Sequence, residues 1–246
     1  GPEELRGSDS QLSALNSQLP LPASHHRGIL PRCVVMKKLL LPFGVAGVLA
    51  FAATSSSGAD TGTGKSFQGP VGLQLYSLRA QFAANGAAKT LDAVKGYGIR
   101  YAELAGTYNL KPEQLLKLLS DRGIKAVSGH FPYKRFQDNP AAVAAEAKAL
   151  GLEFAGCAWA DHKAPLDEKQ AREIAAVFNR AGAVLAQHGL RFFYHNHGFE
   201  FYPLGNETLM DLIIRETDPK LVSFQMDVLW TVFPGQDPAK LLNKYP

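Results

Sequence analysis

The sequence predicts an α/β chain of the (β/α)8 TIM barrel type, broken off after about six strand–helix units. Three observations predict it. From Val71 onward, short apolar runs alternate with longer amphipathic stretches, the order of a parallel sheet with helical crossovers. One device (helix, Gly, apolar residue, charge, strand) recurs at Gly98-Ile99-Arg100, Gly123-Ile124-Lys125, Gly151-Leu152-Glu153 and Gly189-Leu190-Arg191. No G-x-G-x-x-G turn follows the first strand, which counts against the rival doubly wound sheet.

The strands are predicted at Val71–Tyr76, Arg100–Leu104, Ile124–Ser128, Phe154–Ala158, Arg191–His195 and Val222–Asp227. Helices are predicted at Lys89–Tyr97, Pro112–Asp121, Ala141–Leu150, Glu168–His188, Thr208–Glu216 and Pro238–Asn243. Pro112 and Pro238 suit first turns, and Gly98, Gly123, Gly151 and Gly189 suit the left-handed position after a helix. Six units fill residues 71–246 at roughly 30 residues each. A full barrel takes eight units and about 250 residues, so two more are expected beyond Pro246. A chain without them is expected to leave the first and sixth strands as open edges, to associate, and to turn over no substrate alone.

The 246 residues divide unevenly. Residues 1–35 begin with Gly1-Pro2, lack periodicity, and are expected to be a disordered, non-native or upstream segment. Met36 opens MKKLLLPFGVAGVLAFAA, with Lys37 and Lys38 as a positive start and Ala50-Phe51-Ala52 as a small-x-small cleavage signal. That layout predicts a signal peptide over 36–53. Its apolar run is about 15 residues, short of the ~20 that a membrane span needs. A periplasmic or secreted product with no membrane anchor after cleavage is expected. Residues 54–69 read as a flexible linker. Their Gly64-Lys65-Ser66 mimics the end of a phosphate-binding loop, but Ala59 stands where the first Gly is required. Residues 70–246 form the barrel segment.

The net charge of +4 is scattered, with 21 basic and 19 acidic residues over 39–246. That argues against a nucleic-acid partner. Two cysteines, Cys33 and Cys157, exclude a disulfide framework or a thiolate zinc site.

In a parallel barrel, chemistry collects where strands end. Strand one ends in Gln74-Leu75-Tyr76-Ser77, strand two in Glu103, and strand three leads to His130. Trp159, Asp161 and His162 follow strand four; the last two are most simply exposed loop residues. Strand five gives His195-Asn196-His197 with Glu200 beyond, and strand six gives Asp227 followed by Trp230. His195 and His197, two residues apart, share a strand face and suit a metal or a polyol. Asp227 ends an apolar strand, where a carboxylate needs a metal or a buried partner. Glu200 lies among Phe199, Phe201 and Tyr202, where substrate binding and a structural ion pair are both open. Imidazoles with carboxylates suit zinc, manganese, cobalt or magnesium.

VGLQLYSLR at 71–79, YAELAG at 101–106, FFYHNHGFEF at 192–201 and FQMDVLWTVFPGQDPAKLLNKYP at 224–246 resemble the sugar phosphate isomerase/epimerase family. These are xylose isomerase-like TIM barrels related to the endonuclease IV fold. The resemblance runs from about Val71 to Pro246 and implies one divalent ion, most often manganese, with acid/base residues that move protons beside a sugar carbonyl. It implies Asp227 and His195 as metal ligands, although many epimerases have a glutamate at the position of His195. It assigns Glu200 to the substrate side. The family's strand-seven histidine and strand-eight glutamate have no counterpart here.

The expected activity is a metal-dependent sugar isomerase or epimerase with an enediolate intermediate. Glu103, His130 and His197 are its acid/base candidates, and Glu200, Trp230 and Tyr76 its substrate contacts. The partner expected is a small sugar or keto-sugar, and self-association into a homo-oligomer stays open. A keto-glycoside lyase begins with the same proton abstraction. The rival from another class is a non-catalytic sugar-binding barrel; Tyr76, Trp159 and Trp230 suit stacking on sugar faces in either case, and a binder needs no stoichiometric divalent ion.

Overall fold

The computed structural model describes residues 69–246. The expected leading segment, signal peptide and nearly all of the linker lie outside the described residues. No helix among the described residues is long and apolar enough to cross a membrane.

Six parallel strands form one sheet in chain order: β1 (Gly72–Gln74), β2 (Tyr101–Leu104), β3 (Lys125–His130), β4 (Phe154–Cys157), β5 (Arg191–His195) and β6 (Val222–Gln225). Strands one and six are its edges. Helices separate the strands: α1 (Arg79–Gly96), α2 (Pro112–Ser120), α3 (Tyr133–Asp138), α4 (Pro140–Ala149), α5 (Glu168–Gln187), α6 (Leu209–Glu216), α7 (Val228–Val232) and α8 (Pro238–Lys244). This is the strand–helix alternation that the sequence predicts.

The repeated glycine device has a clear geometry. Gly123, Gly151 and Gly189 adopt φ of 68°, 71° and 70°, a region open to glycine at little cost. Behind each, the next residue's N–H reaches back to the helix: Ile124 to Leu119, Leu152 to Ala147 and Leu190 to Leu185, all at 3.0 Å. These bonds satisfy carbonyls that the helix end would leave bare. Ile124, Leu152 and Leu190 are themselves buried, so each turn also fixes where its strand enters the core.

Alternation along β5 divides the two faces of the sheet. Phe192 and Tyr194 pack against Phe178 of α5, with ring centroids 5.1 and 4.7 Å apart. Phe193 and His195 lie on the opposite face, each about one ring from His130 (5.5 and 5.4 Å). The apolar layer therefore sits under the helices, while the other face gathers imidazoles.

Several elements differ from the sequence expectation. Strand one stops at Gln74, and Leu75–Leu78 turn into a 3-10 helix. The first helix starts at Arg79 rather than Lys89 and is broken at Gly86, where φ is 75°. Its early part is anchored by Phe82, which stacks on Tyr108 at 3.8 Å. The short α3 was not expected; it buries Tyr133 and Phe136. Pro203–Leu204 and Glu207–Thr208 form a small antiparallel hairpin ahead of α6. Strand six ends at Gln225, so Asp227 lies beyond it and caps α7, accepting a hydrogen bond from the Trp230 N–H.

Candidate active site

Register brings the carboxyl ends of the strands together. Gln74 pairs with Glu103 across β1 and β2, Glu103 with Ser128 across β2 and β3, and His195 with Gln225 across β5 and β6. A register shift at Ala102/Glu103 re-aims the end of β2.

Glu103 is the hub of this ring, with 8% of its surface exposed. One carboxylate oxygen accepts from Gln74 Nε2 at 3.0 Å and lies 3.2 Å from His130 Nε2. The other accepts from Ser128 Oγ at 2.7 Å and Gln225 Nε2 at 2.8 Å. Burial pushes the Glu103 carboxyl upward, but His130 and the three side-chain donors outweigh it and hold the group below the usual glutamate range. Burial holds His130 below the usual imidazole range, against the pull of Glu103. Glu103 is thus a carboxylate beside a neutral imidazole.

Gln225 carries the ring across the sheet. Its Oε1 lies 2.8 Å from His195 Nδ1 and 3.3 Å from His130 Nε2. His195 Nε2 in turn lies 3.4 Å from Asp227 Oδ2. The other Asp227 oxygen is occupied by the Trp230 N–H at 2.9 Å, and the Asp227 N–H is held by Asn196 Oδ1 at 2.9 Å. Sequence reasoning did not single out Gln225. Its signal was its place, two residues before Asp227 at the end of an edge strand.

His197 sits in an aromatic box. Trp159, Phe199 and Trp230 lie 5.1, 5.9 and 5.5 Å away, and His195 lies 5.2 Å away. Its Nδ1 is buried with no hydrogen-bond partner among the described residues. Burial and the neighbouring imidazoles of His195, His130 and His162 push its pKa down to about 3. His197 is therefore neutral at any ordinary pH.

Glu200 differs from its expected place on the substrate side. It is fully buried. The carboxylate accepts from the Tyr194 hydroxyl and from the His197 N–H, the latter at 3.0 Å to both oxygens. Burial outweighs these bonds and raises its pKa to about 7. The 3-10 turn Phe199–Phe201 folds the carboxylate inward, so it holds the histidine loop from behind. His162 also differs from a simple exposed residue: its ring lies 4.3 Å from Phe199 and 5.8 Å from Trp159. Tyr76 lies on the 3-10 helix after β1, under the Arg79 guanidinium at 4.4 Å.

The 3.4 Å gap between His195 Nε2 and Asp227 Oδ2 equals the edge of a tetrahedron whose metal–ligand bonds are about 2.0–2.1 Å. The two donors are of the right chemistry for a divalent ion. No group of three or more His, Cys, Asp or Glu among the described residues could hold one. His195 and Asp227 are two such donors, fewer than the three or four protein ligands of a zinc site.

A sugar phosphate isomerase/epimerase from Parabacteroides distasonis ATCC 8503 superposes with a TM-score of 0.63 at 24% identity, covering 72% of this chain and 71% of that one. The fold is TIM-barrel-like, with six of the parallel strand–helix units of such a barrel among the described residues. Another solved barrel of this kind, an IolI protein with a bound zinc atom, matches at 0.53 and 11% identity over 70% of this chain and 68% of its own. In sequence, an inosose dehydratase of Geobacillus thermodenitrificans (strain NG80-2) is 33% identical over 85 residues, 35% of this chain. The matched segment spans 28% of that relative's length. No family model matches the chain.

Proposed function

We propose that this xylose isomerase-like barrel belongs to a divalent-metal-dependent enzyme that moves a proton beside a sugar carbonyl, isomerising or epimerising the sugar. The observation that carries the reading is the adjacency of two pairs at the strand ends. The Glu103–His130 pair lies beside the His195–Asp227 pair, with the two histidine rings 5.4 Å apart.

Neutral His130 is the proposed base. Its Nε2–H faces Glu103, which leaves Nδ1 as the basic nitrogen, and the carboxylate stabilises the imidazolium that forms. The C–H bond next to the carbonyl breaks, its proton goes to His130, and its electron pair moves into the carbonyl to give an enediolate. Return of the proton to the neighbouring carbon, with the hydroxyl proton passing from its oxygen to the former carbonyl oxygen, isomerises the sugar; return to the same carbon from the other face epimerises it. His195 and Asp227 would hold the metal, manganese by preference with zinc, cobalt or magnesium as substitutes, which supplies Lewis-acid polarisation of sugar oxygens when bound. Neutral His197 binds a sugar hydroxyl between Trp159 and Trp230, whose faces suit a sugar ring. Glu200 positions that loop, and Tyr76 contributes at the rim.

The match to an inosose dehydratase favours a second reading, elimination from a keto-sugar or keto-glycoside, which shares the first proton abstraction. Two donors hold a divalent ion weakly, so the 246-residue chain by itself is expected to give no turnover. The assay therefore uses protein expressed from the whole reading frame. Incubated with manganese and a panel of ketoses, inososes and keto-glycosides, it is expected to give isomer, epimer or elimination product. Saturable sugar binding without product and without a stoichiometric ion would instead identify a sugar-binding barrel. The signal-like residues 36–53 support export to the periplasm or medium.

A further inference from the structure

Gln225 has one carbonyl oxygen and one amide nitrogen, and the ring around it leaves a single way to place them. Its amide nitrogen lies 2.8 Å from Glu103 Oε2. A carboxylate can only accept, so that position must be the NH2 and not the oxygen. Turning the amide over would set two acceptors against each other on the most heavily bonded carboxylate of the site. Glu103 therefore fixes the orientation of Gln225. Its carbonyl must then face His195 Nδ1 at 2.8 Å and His130 Nε2 at 3.3 Å. A carbonyl can only accept, so both ring nitrogens carry hydrogens.

The consequence falls on His195. In its neutral form, the one a metal-binding imidazole must take, it has one N–H. With that hydrogen on Nδ1, Nε2 is a bare lone pair, and it stands 3.4 Å from Asp227 Oδ2. Among the described residues no hydrogen-bond donor reaches Asp227 Oδ2, whereas Oδ1 is taken by Trp230. Two electron-pair donors thus face each other across a gap that suits an electron-pair acceptor.

We propose that Gln225 is a positioning residue: oriented by Glu103, it holds His195 as the Nδ1–H tautomer and thereby presents bare Nε2 beside Asp227 Oδ2. Histidine ligands are ordinarily oriented in this way by an acceptor on the other nitrogen. Without Gln225, the hydrogen is better placed on Nε2, where it bonds to Asp227 and closes the gap. This rests on the proposed metal reading only for the identity of the acceptor; the tautomer itself does not.

The test is the tautomer of His195 in the full 246-residue chain at neutral pH, read by long-range proton–nitrogen NMR, with the His195→Gln variant identifying its signals. The wild type is expected to show Nδ1–H. Gln225→Leu is expected to move the hydrogen to Nε2. Gln225→Glu, as a neutral carboxylic acid between Glu103 and His195, can donate to one and accept from the other, and is expected to keep Nδ1–H. A wild-type His195 carrying hydrogen on Nε2, or on both nitrogens, would overturn the proposal, as would an unchanged tautomer in a folded Gln225→Leu chain. Zinc titration separates the two readings. A weakening of roughly 10–100-fold in Gln225→Leu is the expected scale for a lost outer partner. The predicted tautomers with no zinc bound by any variant would uphold Gln225 and reject the metal.

Discussion

Gly156 and Phe193 lie side by side across β4 and β5, so close that a Cβ on Gly156 would stand 2.3 Å from the Phe193 ring. The missing side chain on one strand is the space that the ring on the next one fills. Phe193 in turn lies 5.5 Å from His130, which links this packing to the candidate base.

Gly156→Ala is expected to displace that ring and to destabilise the fold by about 1–3 kcal/mol, the usual scale for overpacking. Denaturant titration would show a lower midpoint, and the His130 ring signals in NMR would shift. An unchanged midpoint with unchanged His130 signals would contradict the close packing of Gly156 against Phe193.

Glu200 makes stability depend on pH. Its pKa is 4.5 ordinarily and about 7 when folded. Between those values the unfolded chain has released the proton and the folded chain keeps it, so stability falls as pH rises through the window and levels off above it. The full effect is about 3 kcal/mol. Glu200→Gln should remove this slope, which urea midpoints measured from pH 4.5 to 8 would reveal as a flatter profile than the wild type's.

Asp227 caps α7 and, in the proposed function, would also hold the metal. Asn caps a helix as well as Asp does, so Asp227→Asn should leave the α7 cap and the thermal midpoint nearly unchanged. The loss of a charged donor should weaken divalent binding by more than the roughly 10–100-fold of an outer partner. Equal metal occupancy in both proteins, by elemental analysis, would remove Asp227 from the metal site.

Export is testable apart from the barrel. Expressed in a bacterial host, the chain is expected to be cleaved near Ala52 or Ala53. Mass spectrometry of the periplasmic or secreted product should find a new amino terminus there. A cytoplasmic product retaining residues 36–52 would end the export proposal.

The strand–helix order was legible because four of the five helix-to-strand transitions are marked locally, by glycine and the apolar residue after it. The ends of elements were less so. Asp227 follows an apolar run and reads as strand, yet its side chain caps the next helix turn, and a run such as Val228-Leu229-Trp230 suits either structure. The site residues on strands were legible from their position at carboxyl ends: Glu103, His130 and His195 do meet. Gln225 was not, since its role comes from reaching Glu103, 122 positions away. Glu200 was misplaced for the opposite reason. Its neighbours in sequence left substrate binding and a structural role open, and the family resemblance put it on the substrate side, whereas a single 3-10 turn folds it onto Tyr194, six residues back.

The central claim is proton abstraction beside a sugar carbonyl by the Glu103–His130 pair. It is tested most directly by incubating the protein from the whole reading frame with manganese and keto-sugars in deuterated water. Solvent deuterium should enter the carbon next to the carbonyl, and His130→Asn, with Glu103→Gln as a second variant, should slow that entry by about 100-fold or more, the scale of a lost acid/base group. Product formed without solvent deuterium, or exchange undiminished in both variants, would contradict the account.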